Sequence, residues 1–279
     1  MPDQTPTGAE SIHWNLADLF DSIDSLKSDL DEAAERSERF ETSYRGRVAE
    51  LGDDELREAL DLLGGIQDLA GKAYTYAYLN WSTDTSDPER GALLQHVRER
   101  YTAISTRLLF FEVEWADVAE DRAVAVIDND RFSDAGHWLE VLRVSKPHIL
   151  TEPEEKIMVE KSVTGRSAWN RFFDETLGAM RFEVDGERLT QQQTLSRMHD
   201  TDRDVRRAAA AGFSEGLRAN SRPLTFIFNT ILADKATDDR LRNYPSWITA
   251  RNLSNEVADA DVEALIEAVT SGYDHVARY

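Results

Sequence analysis

The sequence predicts an all-α protein, mainly helical with one small β-hairpin, and three observations carry that expectation. Apolar residues recur in steps of three and four over most of the chain, the spacing that lines one face of a helix. Only one stretch alternates like a strand and meets a favoured hairpin turn, around Asp185-Gly186. Proline and glycine are sparse, at 7 and 14 of 279 residues, so few positions interrupt long helices.

Taken in order, residues 1–11 form a polar lead and His13 to Phe20 (HWNLADLF) a short apolar anchor. From Phe20, the positions Ile23, Leu26, Leu30 and Ala34 share one helical face. A second helix is expected from about Asp53 to Leu79, with Leu56, Leu60, Leu63, Ala70, Ala73 and Ala77 inward and a kink or close approach at Gly64-Gly65. The third starts after Asp87, where Ser86 and Glu89 read as a capping box. Leu93, Val97, Tyr101, Ile104, Leu108, Phe111, Trp115 and Val118 then follow in phase. Thirty helical residues span roughly 45 Å, which favours extended antiparallel packing.

Thr151 and Glu154 predict another capped start, for a helix that restarts or bends near Gly165. Trp169, Phe172 and Phe173 follow, and core packing is their simplest role. Met180 to Val184 and Glu187 to Thr190 form the hairpin, too small to stand without helices against it. Helices resume near Thr201, then over 222–239 and 259–279. The last turns Val262, Leu265, Ile266, Val269, Tyr273 and Val276 inward and lacks a closing signal, so the sequence reads as cut rather than completed.

Composition limits the chemistry. With 53 acidic against 32 basic residues the net charge is -21, which excludes a nonspecific binder of nucleic acid or of acidic membranes. The absence of cysteine removes disulfides, zinc–thiolate sites and thiol catalysis. No secretory leader or membrane-length apolar run is visible, which makes a cytoplasmic protein the default. None of the six histidines stands four residues from another, as a helical zinc pair requires. Glu112 and Glu114 point to different helix faces, while Glu154, Glu155 and Glu160 read as a cap with its solvated face. Arg203, Arg206 and Arg207 form a basic patch that Asp200, Asp202 and Asp204 neutralise. Tyr74, Tyr76, Tyr78 and Trp81 nearly alternate within one helix, which spreads their rings around more than one face, for packing or for lining a groove.

Several stretches in sequence resemble the oligoendopeptidase F family of zinc metallopeptidases: WNLADLF at Trp14–Phe20, LTEPEEKIMVEKSVTGRSAWNRFFDE at Leu150–Glu175, DTDRDVRRAAAAGF at Asp200–Phe213, and the run from Tyr244 to Tyr279. The resemblance implies a helical, cleft-containing enzyme acting on short peptides. It also implies one zinc held by an HExxH helix and a later glutamate, with the motif glutamate as base on metal-bound water. No histidine here is followed by glutamate, so no catalytic, cofactor-binding or metal-ligating residue is transferred to this chain.

On this reading residues 1–110 are an amino-terminal helical hairpin region. Residues 111–198 are an oligopeptidase F-like domain with its hairpin near 180–190, and 199–279 the incomplete start of a zincin-like helical peptidase domain. Zinc belongs to the complete enzyme. Short peptides and the carboxy-terminal catalytic portion are the expected partners. Tyr74, Tyr78, Trp81, Arg166 and Trp169 are the substrate-facing candidates. The alternatives are a non-catalytic helical peptide-binding or scaffold protein of the same descent, and an acidic adaptor for a basic partner.

Overall fold

The computed structural model describes residues 15–279. The polar lead, His13 and Trp14 lie outside the described residues. Thirteen α-helices and one two-stranded sheet are present among those described.

Helix α1 (Ile23–Tyr44) is capped by Ser22, whose hydroxyl accepts the Ser25 N–H at 3.1 Å. Helix α2 (Asp53–Thr83) runs unbroken through Gly64-Gly65, and Arg36 of α1 approaches it at Gly65, the close approach that the glycine pair allows. Helix α3 (Pro88–Asp117) starts on Asp87, which accepts the N–H groups of Glu89 and Arg90; the cap is therefore Asp87 and not Ser86. Proline at the first helical position explains the one-residue shift, since it needs no N–H partner and fixes the helical φ.

Cross-contacts give the directions. Asp29 reaches Lys72 and Arg36 approaches Gly65, so α1 and α2 are antiparallel. Tyr74 meets Tyr101, and Gln67 shares a cavity with Leu108, so α2 and α3 are antiparallel too. Between them Leu26, Leu30, Phe40, Leu56, Leu63, Ile66, Leu94, Phe110, Phe111 and Trp115 form the main core. The α1–α2 connection is tied down by Glu114, whose carboxylate accepts the Gly46 N–H at 2.7 Å and the Val48 N–H at 3.2 Å.

Helices α4 (Glu120–Ile127) and α5 (Gly136–Ser145) close the far end of this core. The buried indole N–H of Trp115 donates to the Leu139 carbonyl at 2.9 Å. Arg143 caps the carboxy-terminal end of α3 by donating to the Val118 carbonyl at 2.8 Å.

Helix α6 (Glu152–Ser162) lies on α3 and begins with the Thr151–Glu154 capping box expected from sequence. Gly165 separates it from α7 (Arg166–Ala179). Strands β1 (Phe182–Val184) and β2 (Glu187–Leu189) pair antiparallel with Phe182 opposite Leu189. Asp185 and Gly186 both take positive φ, 51° and 81°, as a two-residue hairpin turn of this kind requires.

Beyond the hairpin come α8 (Gln191–Arg197), α9 (Arg203–Ala219), α10 (Ser221–Leu241), α11 (Thr249–Ser254), α12 (Asp259–Ser271) and α13 (Tyr273–Arg278). Helix α9 packs on β1 so closely that a Cβ at Gly212 would overlap the Glu183 carbonyl oxygen, and one at Gly216 the Phe182 ring. The single helix expected over 259–279 is two, because Gly272 ends α12. Its expected inward face is exposed: Leu265, Ile266, Val269, Tyr273 and Val276 have no covering surface among the described residues. Phe172 and Phe173 are also exposed, which corrects their assignment to the core. Their helix α7 packs chiefly on α10 and touches the main bundle along one side only, so part of its aromatic cluster stays open.

Candidate functional site

Helices α2, α3 and α7 converge on an aromatic-walled pocket of about 370 Å³. The wall arises from helical spacing: Tyr74 and Tyr78 are four residues apart and stack with ring centres 6.4 Å apart and planes at 10°. Trp81, three residues further, stands 6.0 Å from Tyr78 at 45°. Tyr76 points elsewhere and meets Phe20 edge-on, so the near-alternation does divide the rings between two faces. Trp81 is only 2% exposed, and its indole N–H has no acceptor among the described residues.

The polar side of the pocket comes from Arg98 on α3 and from Ser167, Asn170 and Asp174 on α7. Partial burial pushes the Asp174 carboxyl above its ordinary range. Three of the five residues expected to face substrate are thus together. Arg98 and Asp174 were not legible as members, because they are two of many charged positions and only the packing of α7 across α2 and α3 selects them.

Trp169 lies on another side of α7, in a groove of about 710 Å³ shared with α10. Its ring is 5.4 Å from Phe226 and 6.4 Å from Phe172. Ser221, Arg222, Thr225 and Asn229 add polar groups beside the apolar rings. Arg166, at the first residue of α7, is exposed and lines neither cavity.

A polar clamp joins the α6 region to the end of α10. Arg242 donates to both carboxylate oxygens of Glu155, at 2.5 and 2.8 Å, while the Leu150 N–H donates to the same carboxylate at 2.9 Å. Burial pushes the Glu155 carboxyl up, but the guanidinium and amide donors outweigh it and hold it below the usual range. The expectation that Glu155 lies on a solvated face is therefore corrected. Helical phase brings it under the α10 terminus, where Arg242 compensates its buried charge. His148 belongs to the same clamp: its ring stacks on Tyr244 at 4.1 Å, and its Nδ1 is 2.9 Å from the Arg242 carbonyl oxygen.

Glu112 differs from Glu114 as expected, facing the cavity between α3 and α6 rather than the α1–α2 connection. Burial holds its carboxyl above the ordinary range, with the Glu155 charge adding to the effect. Among the described residues no three His, Cys, Asp or Glu side chains are grouped to hold a metal ion, so these residues do not fit a zinc site by themselves. No helix described is long and apolar enough to cross a membrane.

Comparison with known proteins agrees with the fold and extends it. A family model described as Oligopeptidase F matches residues 114–182, from the end of α3 to the first residue of β1. Oligopeptidase PepF of Bacillus subtilis is 23% identical over 288 residues, covering 100% of this chain and 42% of that protein. The oligoendopeptidase F homolog of Borreliella burgdorferi is 22% identical, covering 93% of this chain and 44% of its own length. The chain thus spans less than half the length of these curated relatives. Among solved structures, oligoendopeptidase-F from Enterococcus faecium shares the fold, with TM-score 0.78, 18% identity, 90% of this chain and 50% of that one. The chain is thus similar in sequence to these oligopeptidases along its length and shares its fold with a solved oligoendopeptidase-F.

Proposed function

We propose that this chain forms the amino-terminal portion of a zinc-dependent metalloendopeptidase that hydrolyses short oligopeptides in the cytoplasm. The observation that carries the reading is the collinear match of the whole chain to Oligopeptidase PepF. On this reading the zinc and its ligands belong to residues other than those described. Residues 1–110 and 111–198 supply the helical frame, and 199–279 begin the unit that bears the metal.

The contribution of this chain is to hold and orient peptide. The α7–α10 groove offers Trp169, Phe172 and Phe226 as an apolar floor, with Arg222 and Asn229 for backbone groups of an extended segment. An open groove between helices admits a flexible peptide and rejects a folded surface, which supports oligopeptides as the substrate class.

The test is to purify the native gene product with an antibody against residues 53–117 and to assay an internally quenched oligopeptide. The expected result is cleavage that a chelator abolishes, with no cleavage of a folded protein substrate. Peptide binding without cleavage would instead establish the non-catalytic scaffold reading.

A further inference from the structure

The pocket beside Tyr78 gathers polar groups that have no partner among the described residues. Its volume of about 370 Å³ is at the low end of small-molecule sites, which span roughly 300–1,000 Å³. Arg98 has no carboxylate partner among the described residues, and Asp174 has no cationic one, although both line the same pocket and do not pair with each other. Trp81, which lines the same pocket, keeps a buried indole N–H without an acceptor among the described residues. An unmet buried donor is a standing penalty that an entering acceptor relieves. The stacked Tyr74 and Tyr78 rings give an ammonium group a face to approach.

The ligand's charge is constrained as well. At a net charge of -21 the whole chain repels simple anions, so a carboxylate reaches Arg98 most readily on a molecule that also carries a positive group. We propose that this pocket binds a small zwitterion, a free amino acid or a dipeptide, with its carboxylate on Arg98 and its ammonium on Asp174. The inference stands on the pocket's own geometry and is independent of the peptidase reading.

Calorimetric titration of this chain tests it, with phenylalanine and glycyl-phenylalanine as probes beside the N-acetyl and carboxamide derivatives of each. Saturable binding of a free zwitterion is expected, weakened roughly tenfold by blocking either end. The tighter of the two free probes identifies the amino-acid or the dipeptide source. Arg98→Gln should abolish discrimination between acid and amide while keeping that between free and acetylated amine, and Asp174→Asn should do the reverse. This crosswise pattern separates ligand contact from general unfolding. Binding of the acetylated and amidated probes as tight as that of the free zwitterions, a uniform loss in both variants, or no saturation by any probe overturns the proposal. No metal is needed, so a null result leaves proteolysis by the complete enzyme untouched, and an inactive enzyme leaves this site intact.

Discussion

Helices α3 and α10 both carry phenylalanines close together, yet their fates differ. Phe110 and Phe111 on α3 are 0% exposed, whereas Phe226 and Phe228 on α10 are 60% and 62% exposed. The first pair lies inside the α1–α2–α3 bundle, with α5 and α6 closing further sides of α3. Helix α10 packs on α7 and α9 and leaves the rest of its surface open. A helical apolar stripe therefore records that a face needs company, while the partner decides whether it becomes core or binding surface.

The sharpest way to break this comparison is truncation on each side. Phe111→Ala should cost about 3–5 kcal/mol, the loss of a fully buried aromatic with incomplete collapse around it. Phe228→Ala should change stability by less than about 0.5 kcal/mol, as for other exposed positions. Urea unfolding of the two variants measures both. Equal losses would mean that the α10 face is covered in solution.

The Glu155–Arg242 clamp is the strongest polar link described between the two regions. Arg242→Met should cost about 3 kcal/mol, because it leaves the Glu155 carboxylate buried without its cation. The pH dependence follows from the same contact. The folded-state pKa of Glu155 is depressed, so its contribution is complete above the unfolded value of roughly 4.3 and is lost as pH falls through the lower folded value. Thermal melts from about pH 6 to about pH 3 should show part of the wild-type loss missing in Arg242→Met. Parallel curves would reject the clamp as a titrating link.

Much of the bundle was legible in the sequence, for a physical reason. Leu56, Leu60, Leu63, Ala70, Ala73 and Ala77 are inward because a 3.6-residue period survives any packing partner, and all six are buried. The Asp185-Gly186 turn was legible because positive φ at both central positions is a local demand. The short helices α4, α5, α8 and α11 were missed, since so few residues give little periodicity. For the site, Tyr74, Tyr78 and Trp81 were readable as candidates to line a groove, though not as sharing one face apart from Tyr76. Arg98 and Asp174 in their pocket, and Phe226 in the Trp169 groove, were not, because they arrive only through contacts between helices distant in sequence.

Glycine sharpens the comparison in the opposite direction. Gly64 in α2 has open space where a side chain would go, so Gly64→Ala should stabilise the chain by about 0.5–1 kcal/mol. Gly212→Ala in the otherwise open second region should cost about 1–3 kcal/mol, since the new methyl meets the backbone carbonyl of Glu183. Opposite signs in thermal melts would show that close packing is present there and confined to the α9–hairpin contact. Two stabilising results would mean that this contact is looser in solution.

The smallest expected change in stability gives the most direct view of the open face. Leu265 and Val269 lie four residues apart on α12 and are 64% and 53% exposed, on the stripe that also carries Ile266 and Tyr273. Replacing both by serine removes no buried contact, so stability should move by less than about 0.5 kcal/mol. Self-association should move much more. A contiguous apolar stripe on a helix end seeks cover, and electrostatic repulsion at a net charge of -21 opposes but does not direct that association. The wild-type chain is expected to self-associate in sedimentation velocity, increasingly as salt screens the repulsion. The double variant should sediment as a monomer at the same salt. If the wild type is already monomeric at high salt, the stripe is too weak to associate on its own. If the double variant also associates, the contact lies elsewhere, and the exposed Phe226–Phe228 face of α10 becomes the next surface to change.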